Sequence, residues 1–273
     1  MSTEQTVLIT GGSAGIGRGL ARRFAAAGAR VIVAARPSPR LDAVPGAIPG
    51  ADILPVDLAS AAAREELAHA VLQRHGRVDV LVNNAGFQRR VGIAEDADPW
   101  PEHQREIDLL FAAPVHLTSL LLPELRRAPA GQVVNITSGG AFTPQPFAPS
   151  YSALKAALHS WTVTLRDALA DTSVAVTELF PPAVATGLAG PGASHGLDLD
   201  AFCDEVFPAI VRRDPEVGAG ATATAEFRAA RAADADRFAR ASGRFPVARF
   251  PARAPGASAV PVLPETARGR DTR

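Results

Sequence analysis

The sequence has a single cysteine, Cys203, so an internal disulfide is impossible and a two-cysteine metal site is excluded. It has no excess of charge of either sign. Lys+Arg and Asp+Glu stand at 28 each, which leaves no electrostatic footprint for a nucleic acid or an anionic membrane. It lacks an unbroken apolar run approaching the ~20 residues that a membrane span requires. The opening MSTEQTVLIT has no basic stretch leading into an apolar one, so no secretory signal is expected. His69, His75, His103, His159 and His195 show no HxxxH or carboxylate spacing suited to a metal, and no metal site is expected. His116, on an apolar helical stretch, is expected to be packed or interfacial. From these absences a soluble, cytoplasmic protein is expected.

What is present is apolar material. Hydrophobic residues make up 47% of 273 residues, enough to bury the full core of one large α/β domain. Short β-branched runs alternate with longer helical patterns, the signature of a parallel sheet with crossover helices. The spacing predicts strands at Thr6–Thr10, Arg30–Ala34, Asp52–Val56, Val78–Val82, Gln132–Thr137 and Val174–Phe180. Helices are expected after Gly15, from Ser60 (as cap) to His75 and Gly76, over Pro101–Arg127 and over Tyr151–Ala170. The stretch RPSPRLDAVPGAIPG holds four prolines, so any helix there is short or broken. Beyond Thr186 the pattern weakens to two helical stretches, Leu199 to about Arg212 and Glu216–Arg240. One domain is expected over residues 1–240, followed at 241–273 by a tail with the composition of a poorly ordered segment.

Between the first strand and the first helix stands Thr10-Gly11-Gly12-Ser13-Ala14-Gly15-Ile16-Gly17. Gly11 permits the tight turn, Gly15 lets the backbone approach a pyrophosphate, and Gly17 lets helix and strand pack closely. The helix N-terminus offers N–H groups and a positive dipole end to the phosphates. Glycines also close ordinary βα loops; the place of this turn after the first strand of an alternating chain raises the signal.

This turn, together with VDVLVNNAG at Val78–Gly86, VVNITS at Val133–Ser138 and YSALK at Tyr151–Lys155, resembles the short-chain dehydrogenase/reductase family in order and spacing. The resemblance is to its classical subgroup, covers about residues 5–188, and is flavoured like the uncharacterised bacterial oxidoreductases. It implies a single Rossmann-like, doubly wound parallel sheet with helices on both faces. It also implies an NAD(P)-dependent oxidoreductase acting on a carbonyl or alcohol substrate, and a homodimer or homotetramer packed through the two long helices. By the same resemblance Tyr151 is the general acid/base. Lys155, one turn along the same helix face, lowers the Tyr151 pKa and binds the ribose. Ser138 polarises the substrate carbonyl. Gly11, Ser13, Gly15, Ile16 and Gly17 hold the phosphates. Asn84, Ala85 and Gly86 pass beside the adenine ribose, while Asn83 braces the sheet. Asp57 and Leu58 face the adenine, with helix capping as a second reading for Asp57, and Val184 and Thr186 meet the carboxamide.

The family's acidic residue at the end of the second strand falls on Ala35, with Arg36 next to it. An acid there would bind both ribose hydroxyls, whereas Arg36 offers a planar fork to a 2′-phosphate and Ser13 adds a hydroxyl, so NADP is expected over NAD. The pattern departs from the family in three places. Leu110 stands where the family carries an asparagine that holds a water next to the lysine, Pro182 stands where it usually has glycine, and no closing strand is readable in GRFPVARFPARAPG beyond an edge run at Phe245–Phe250. Leu110 motivates an alternative function, a dinucleotide-binding sensor or scaffold with weak turnover. The acids Glu95, Asp96 and Asp98 read as a solvated loop. Phe87, Phe142 and Phe147 read equally as a substrate wall or as core.

Overall fold

The computed structural model describes residues 5–189, 195–244 and 247–252. Seven parallel strands form one sheet in the order β3-β2-β1-β4-β5-β6-β7. They are β1 (Thr6–Thr10), β2 (Arg30–Ala35), β3 (Asp52–Pro55), β4 (Val80–Asn83), β5 (Gln132–Ile136), β6 (Ala175–Phe180) and β7 (Glu216–Gly218). The connecting helices are α1 (Gly15–Ala26), α2 (Pro39–Asp42), α3 (Val44–Ala47), α4 (Ala61–His75), α5 (Trp100–Ile107), α6 (Ala113–Arg127), α7 (Pro149–Ala168) and α8 (Leu199–Val211), with α9 (Ala225–Ser242) following β7.

Two apolar layers sandwich the sheet, and the two-residue period of the strands sorts side chains between them. Val7 and Ile9 of β1, with Val31 and Val33 of β2, meet Leu20 and Phe24 of α1 and Phe202, Val206 and Ile210 of α8. Leu8 and Ile32 point the other way, to Leu67 and Val71 of α4, Leu117 and Leu121 of α6 and Leu165 of α7. The sheet therefore has helices on both faces, as the sequence implied. Its order reverses between β1 and β4, where the chain leaves in opposite directions and a crevice opens at the strands' C-terminal ends. Every motif singled out above ends on that edge.

The helix ends follow their residues. Ser60 accepts a hydrogen bond from Ala63 N at 3.3 Å to cap α4, and Gly76 closes it at φ 71°. The proline-rich stretch after β2 holds only the four-residue helices α2 and α3. The long helix expected at Pro101–Arg127 starts at Trp100 and is interrupted by a wide π turn at Asp108–Ala112. Pro114 gives the cause: it has no N–H to return to the carbonyl of Leu110, and its ring crowds that carbonyl, so the preceding turn widens. This segment, Trp100–Arg127, is long and apolar enough to cross a membrane, with a mean hydropathy of 1.3. Its leucines are spent on the core instead, since Leu117, Leu121 and Leu125 are fully or almost fully buried.

Two expectations for the C-terminal part need correction. Glu216 to Gly218 is the last strand, β7, rather than the start of a helix; it pairs with Glu178–Phe180 of β6, and α9 begins only at Ala225 behind its cap Thr224. No strand forms at Val247–Phe250, although Phe245 itself lies outside the described residues. Phe250 N bonds Ala168 O at 2.9 Å, and Arg126 lies over the Phe250 ring. Of the tail expected at 241–273, α9 takes in the first two residues, and 245–246 and 253–273 lie outside the described residues.

Candidate active site

In the Gly-rich turn Gly11 N donates to Ala34 O at 2.7 Å, while the start of α1 has no side-chain cap. Gly11 and Gly15 adopt φ +65° and +52°, the left-handed region that disfavours side chains. Ala14 is the N-cap of α1 and supplies no capping bond, so the first-turn N–H groups of Gly15, Ile16 and Gly17 have no side-chain acceptor. A Cβ at Gly17 would sit 2.3 Å from Asn84 Nδ2 and 2.7 Å from Gly11 O, so nothing larger than glycine fits where α1 meets the turn. Ser13 and Ile16 are half-buried on the same turn. This is a cradle of backbone donors at a helix N-terminus, and it fits a pyrophosphate.

Thr10 ties the turn to the segment after β4. Its hydroxyl accepts from Asn84 N at 2.9 Å and Ala85 N at 3.0 Å, and donates to Val82 O at 3.2 Å. The Asn84 amide donates to Thr10 O and Gly11 O, so its side chain braces the turn and is not itself free to reach a ribose; the backbone of Ala85 and exposed Gly86 is what borders the crevice. Asn83 braces the sheet as expected, donating to Thr118 Oγ1 and Asn135 Oδ1. Thr186 arrives from beyond β6, with its methyl 3.5 Å from where a Gly15 Cβ would stand. Val184 forms an isolated bridge with Leu197.

At the adenine side the residues divide. Arg36 is exposed directly after buried Ala35. Asp57 accepts from Arg105 Nη2 at 2.9 Å and from Ala59 N at 3.1 Å. Burial would raise its carboxyl pKa, but these partners outweigh it and hold the group below its ordinary value. Asp57 thus combines a charge partner with local capping, while Ser60 is the cap of α4. The Leu58 side chain turns into the core, which leaves its backbone to border the adenine side.

The catalytic candidates meet at the C-terminal end of β5. Ser138 follows β5, is nearly buried, and accepts from Gly140 N at 3.0 Å. Pro149 starts α7, which then carries Tyr151 and Lys155 on successive turns. Lys155 Nζ donates to Ile136 O at 2.7 Å and stands 5.6 Å from the centroid of the Tyr151 ring. Burial pushes the Tyr151 phenol up to about 12, with contact to Ser138 acting in the opposite direction and Glu106 adding to the rise. Burial brings the Lys155 ammonium down to about 8, opposed by Glu178. The lowered tyrosine pKa expected from the lysine is therefore overridden by desolvation in the protein alone.

Leu110 is fully buried beside Ala148 and Tyr151. Its Cδ2 would lie 3.0 Å from a Cβ on Gly86, so the apolar side chain forms part of the wall under the crevice.

Several residues at the site carried no sequence signal. Glu106, one turn before Leu110, is fully buried with Arg89 Nη1 at 3.7 Å, and burial raises its carboxyl pKa against that cation. Arg89 is also clamped by Asp96 and Asp98, so those acids organise the loop rather than merely being solvated. His116 is neither packed among apolar groups nor free: its Nδ1 lies 3.1 Å from Arg64 Nε. Phe142 stacks edge-on against Phe180 and Phe227, with the Arg231 guanidinium 3.9 Å above it, whereas Phe147 is exposed under Arg90. Of the three candidate phenylalanines, Phe142 has the aromatic wall.

A profile of the family described as "short chain dehydrogenase" matches residues 5–195. An uncharacterised oxidoreductase of Bacillus subtilis, DltE, is 44% identical over 186 residues, covering 68% of this chain and 74% of its own. A fatty acyl-CoA reductase of Acinetobacter baylyi is 32% identical over 78% of this chain and 75% of its own. Among solved structures, a short-chain dehydrogenase from Sphingobium yanoikuyae in complex with NADPH superposes with a TM-score of 0.77 at 26% identity, covering 86% of this chain and 95% of that one. A metagenomic short-chain oxidoreductase in complex with NADP gives 0.67 at 28% identity, covering 79% and 96%.

Proposed function

The chain belongs to the short-chain dehydrogenase/reductase family and is an NAD(P)-dependent oxidoreductase; from that premise we propose that it moves hydride between NADP and a carbonyl/alcohol substrate, with Tyr151 as general acid/base. The reading is carried by one observation: the Tyr151 phenol meets the Ser138 hydroxyl with the Lys155 ammonium 5.6 Å from its ring, in a chain whose first helix opens without a side-chain cap.

On the turn that Gly11 permits, Gly15, Ile16 and Gly17 would hold the pyrophosphate, Ala85 and Gly86 would border the ribose, and Thr186 would close over the turn. The nicotinamide, when bound, supplies or accepts the hydride. Ser138 hydrogen-bonds the carbonyl oxygen and holds it beside Tyr151 Oη. In reduction the Tyr151 phenol donates its proton to that oxygen, and the tyrosinate left behind is stabilised by the Lys155 ammonium. A phenol held near 12 is protonated at neutral pH, the form in which it can give its proton to the carbonyl oxygen. Exposed Arg36, with no acid at Ala35 and a hydroxyl available from Ser13 in the turn, supports NADP.

The test is a titration of NADPH against NADH with a carbonyl panel followed in the same wells. NADPH is expected to bind more tightly and to be oxidised with at least one carbonyl, with Arg36→Glu erasing the preference. Tyr151→Phe is expected to lower kcat by roughly 10²–10⁴ without loss of binding. Tight NADPH binding with no turnover across a broad panel would instead support the second reading, a dinucleotide sensor, which the apolar Leu110 beside Tyr151 favours.

A further inference from the structure

Below the catalytic lysine lies an ionisable cluster that the reaction above does not use. His159 is one helical turn beyond Lys155 on α7, so both side chains reach toward the same stretch of β5 and β6. His159 Nδ1 lies 3.0 Å from each carboxylate oxygen of Glu178. Glu178 sits inside β6 with no exposure, and takes a further hydrogen bond from the Thr137 hydroxyl at 2.8 Å. Its register partner on β5 is Asn135, whose side chain bonds Thr162 of α7 at 2.9 Å, so position 178 projects onto the face that α7 covers. Thr137 is next to Ser138 in the chain. The cluster is thus tied to the reacting groups from two sides.

A carboxylate buried this completely needs matched positive charge. The groups that face it come from three elements. On α7 are His159 and Arg166, and Arg166 is already engaged with Val176 O at 2.9 Å and Pro215 O at 2.7 Å. On β7 is Glu216, a like charge that Arg166 also faces. From α9, Arg231 Nη1 reaches His159 Nε2 at 3.4 Å. From the next turn of α7 comes Lys155, equally buried, whose loss of charge on burial Glu178 opposes.

We propose that Glu178 is a positioning residue for the reaction: a buried counter-charge, clamped by Thr137 and His159, that keeps Lys155 an ammonium and so sets the upper pH limit of the enzyme. The inference rests on Lys155 being the working lysine of the proposed function. A lysine loses its charge as pH rises through its pKa, and removing a nearby negative charge moves that loss to lower pH. Without Glu178 the site would lose its ammonium nearer neutrality, and with it the support for a tyrosinate at Tyr151.

The sequence makes a direct test available, because Lys155 is the only lysine in the chain. Protein grown on lysine carrying ¹³C at Cε gives one lysine resonance, whose shift against pH reports the Lys155 charge with no need for turnover. In the wild type the midpoint is expected near pH 8. Glu178→Gln keeps the size and one acceptor oxygen but removes the charge, and is expected to lower the midpoint by about one pH unit. Glu178→Asp retracts the same charge by one methylene and is expected to lower it by a smaller step. A role confined to fastening α7 to β6 would leave the midpoint unmoved in a folded Gln variant, and that result overturns the proposal. Should the Gln variant fail to fold by circular dichroism, the Asp variant decides alone, and an unshifted midpoint there overturns it equally. Where a carbonyl is turned over, the alkaline limb of kcat should move down by the same step. A failed carbonyl panel with a shifted lysine midpoint would sink the oxidoreductase reading and leave the counter-charge standing.

Discussion

Replacing Lys155 with methionine should stabilise the protein while removing its proposed chemistry. The ammonium titrates at 10.5 when exposed and at about 8 in the fold, a difference of about 2.5 units. At 1.36 kcal/mol per unit, holding that charge inside costs about 3 kcal/mol at neutral pH, with the attraction of Glu178 already included. Methionine has nearly the same shape and no charge, but it leaves Ile136 O without the donor now at 2.7 Å, a loss of about 1–2 kcal/mol. The net gain is about 1–2 kcal/mol, or about 3–6 °C in Tm for a chain of this size. Its pH dependence has a definite sign. Below pH 8 both folded and unfolded chains hold the lysine proton and the cost is present in full. Between about 8 and 10.5 the folded protein has released the proton and the unfolded chain has not, so wild-type stability climbs toward that of the variant. Thermal melts at about pH 7 and pH 10 should therefore show a gain for Lys155→Met that shrinks at the higher pH. A variant that melts at or below the wild type at pH 7, or differs by the same amount at both, would refute the buried-ammonium argument.

Gly17→Ala places a methyl group 2.3 Å from Asn84 Nδ2, forcing the amide that braces the turn to move. Overpacking of this kind costs about 1–3 kcal/mol, and the expected outcome is a lower Tm with at least about a tenfold weaker Kd for NADPH, read by calorimetry. Leu110→Asn puts an amide among Ala148 and Tyr151, and the expected outcome is a loss of about 2–4 kcal/mol in chemical denaturation. A variant as stable as the wild type would reveal polar room beside Tyr151 that the apolar wall conceals.

The parts of this molecule that were legible in the sequence are those governed by short-range rules. Thr6–Thr10 reads as a strand because five apolar or β-branched residues fill both faces, and the Gly-rich turn reads as a cradle because only glycine tolerates its backbone. Ser60 and Gly76 mark α4 for the same local reasons. β7 escaped because three residues, Glu216–Gly218, are too few to show a period, and their pairing with β6 is set by topology. The polar pairs escaped for a related reason. His159 and Glu178 are 19 positions apart and meet only because α7 folds back over β6. Asn84 was read from its neighbours, yet its amide is committed to Thr10 and Gly11, 74 and 73 positions earlier.

Burial acts on both working groups of the site in the same way, by disfavouring charge, and this moves their pKa values in opposite directions. Tyr151 rises to about 12 and Lys155 falls to about 8. At neutral pH the phenol is therefore firmly protonated, while the ammonium is held with little margin. Glu106 adds to the rise at Tyr151, so the acid form is reinforced from the α5 side. Glu178 works on the lysine from the opposite side, through β6, and opposes its loss of charge. Two buried carboxylates on two elements thus act in one sense: one favours the protonated tyrosine and the other the protonated lysine. The proposed proton donation from Tyr151 would draw on both, and so on residues outside the motifs by which the chain is identified.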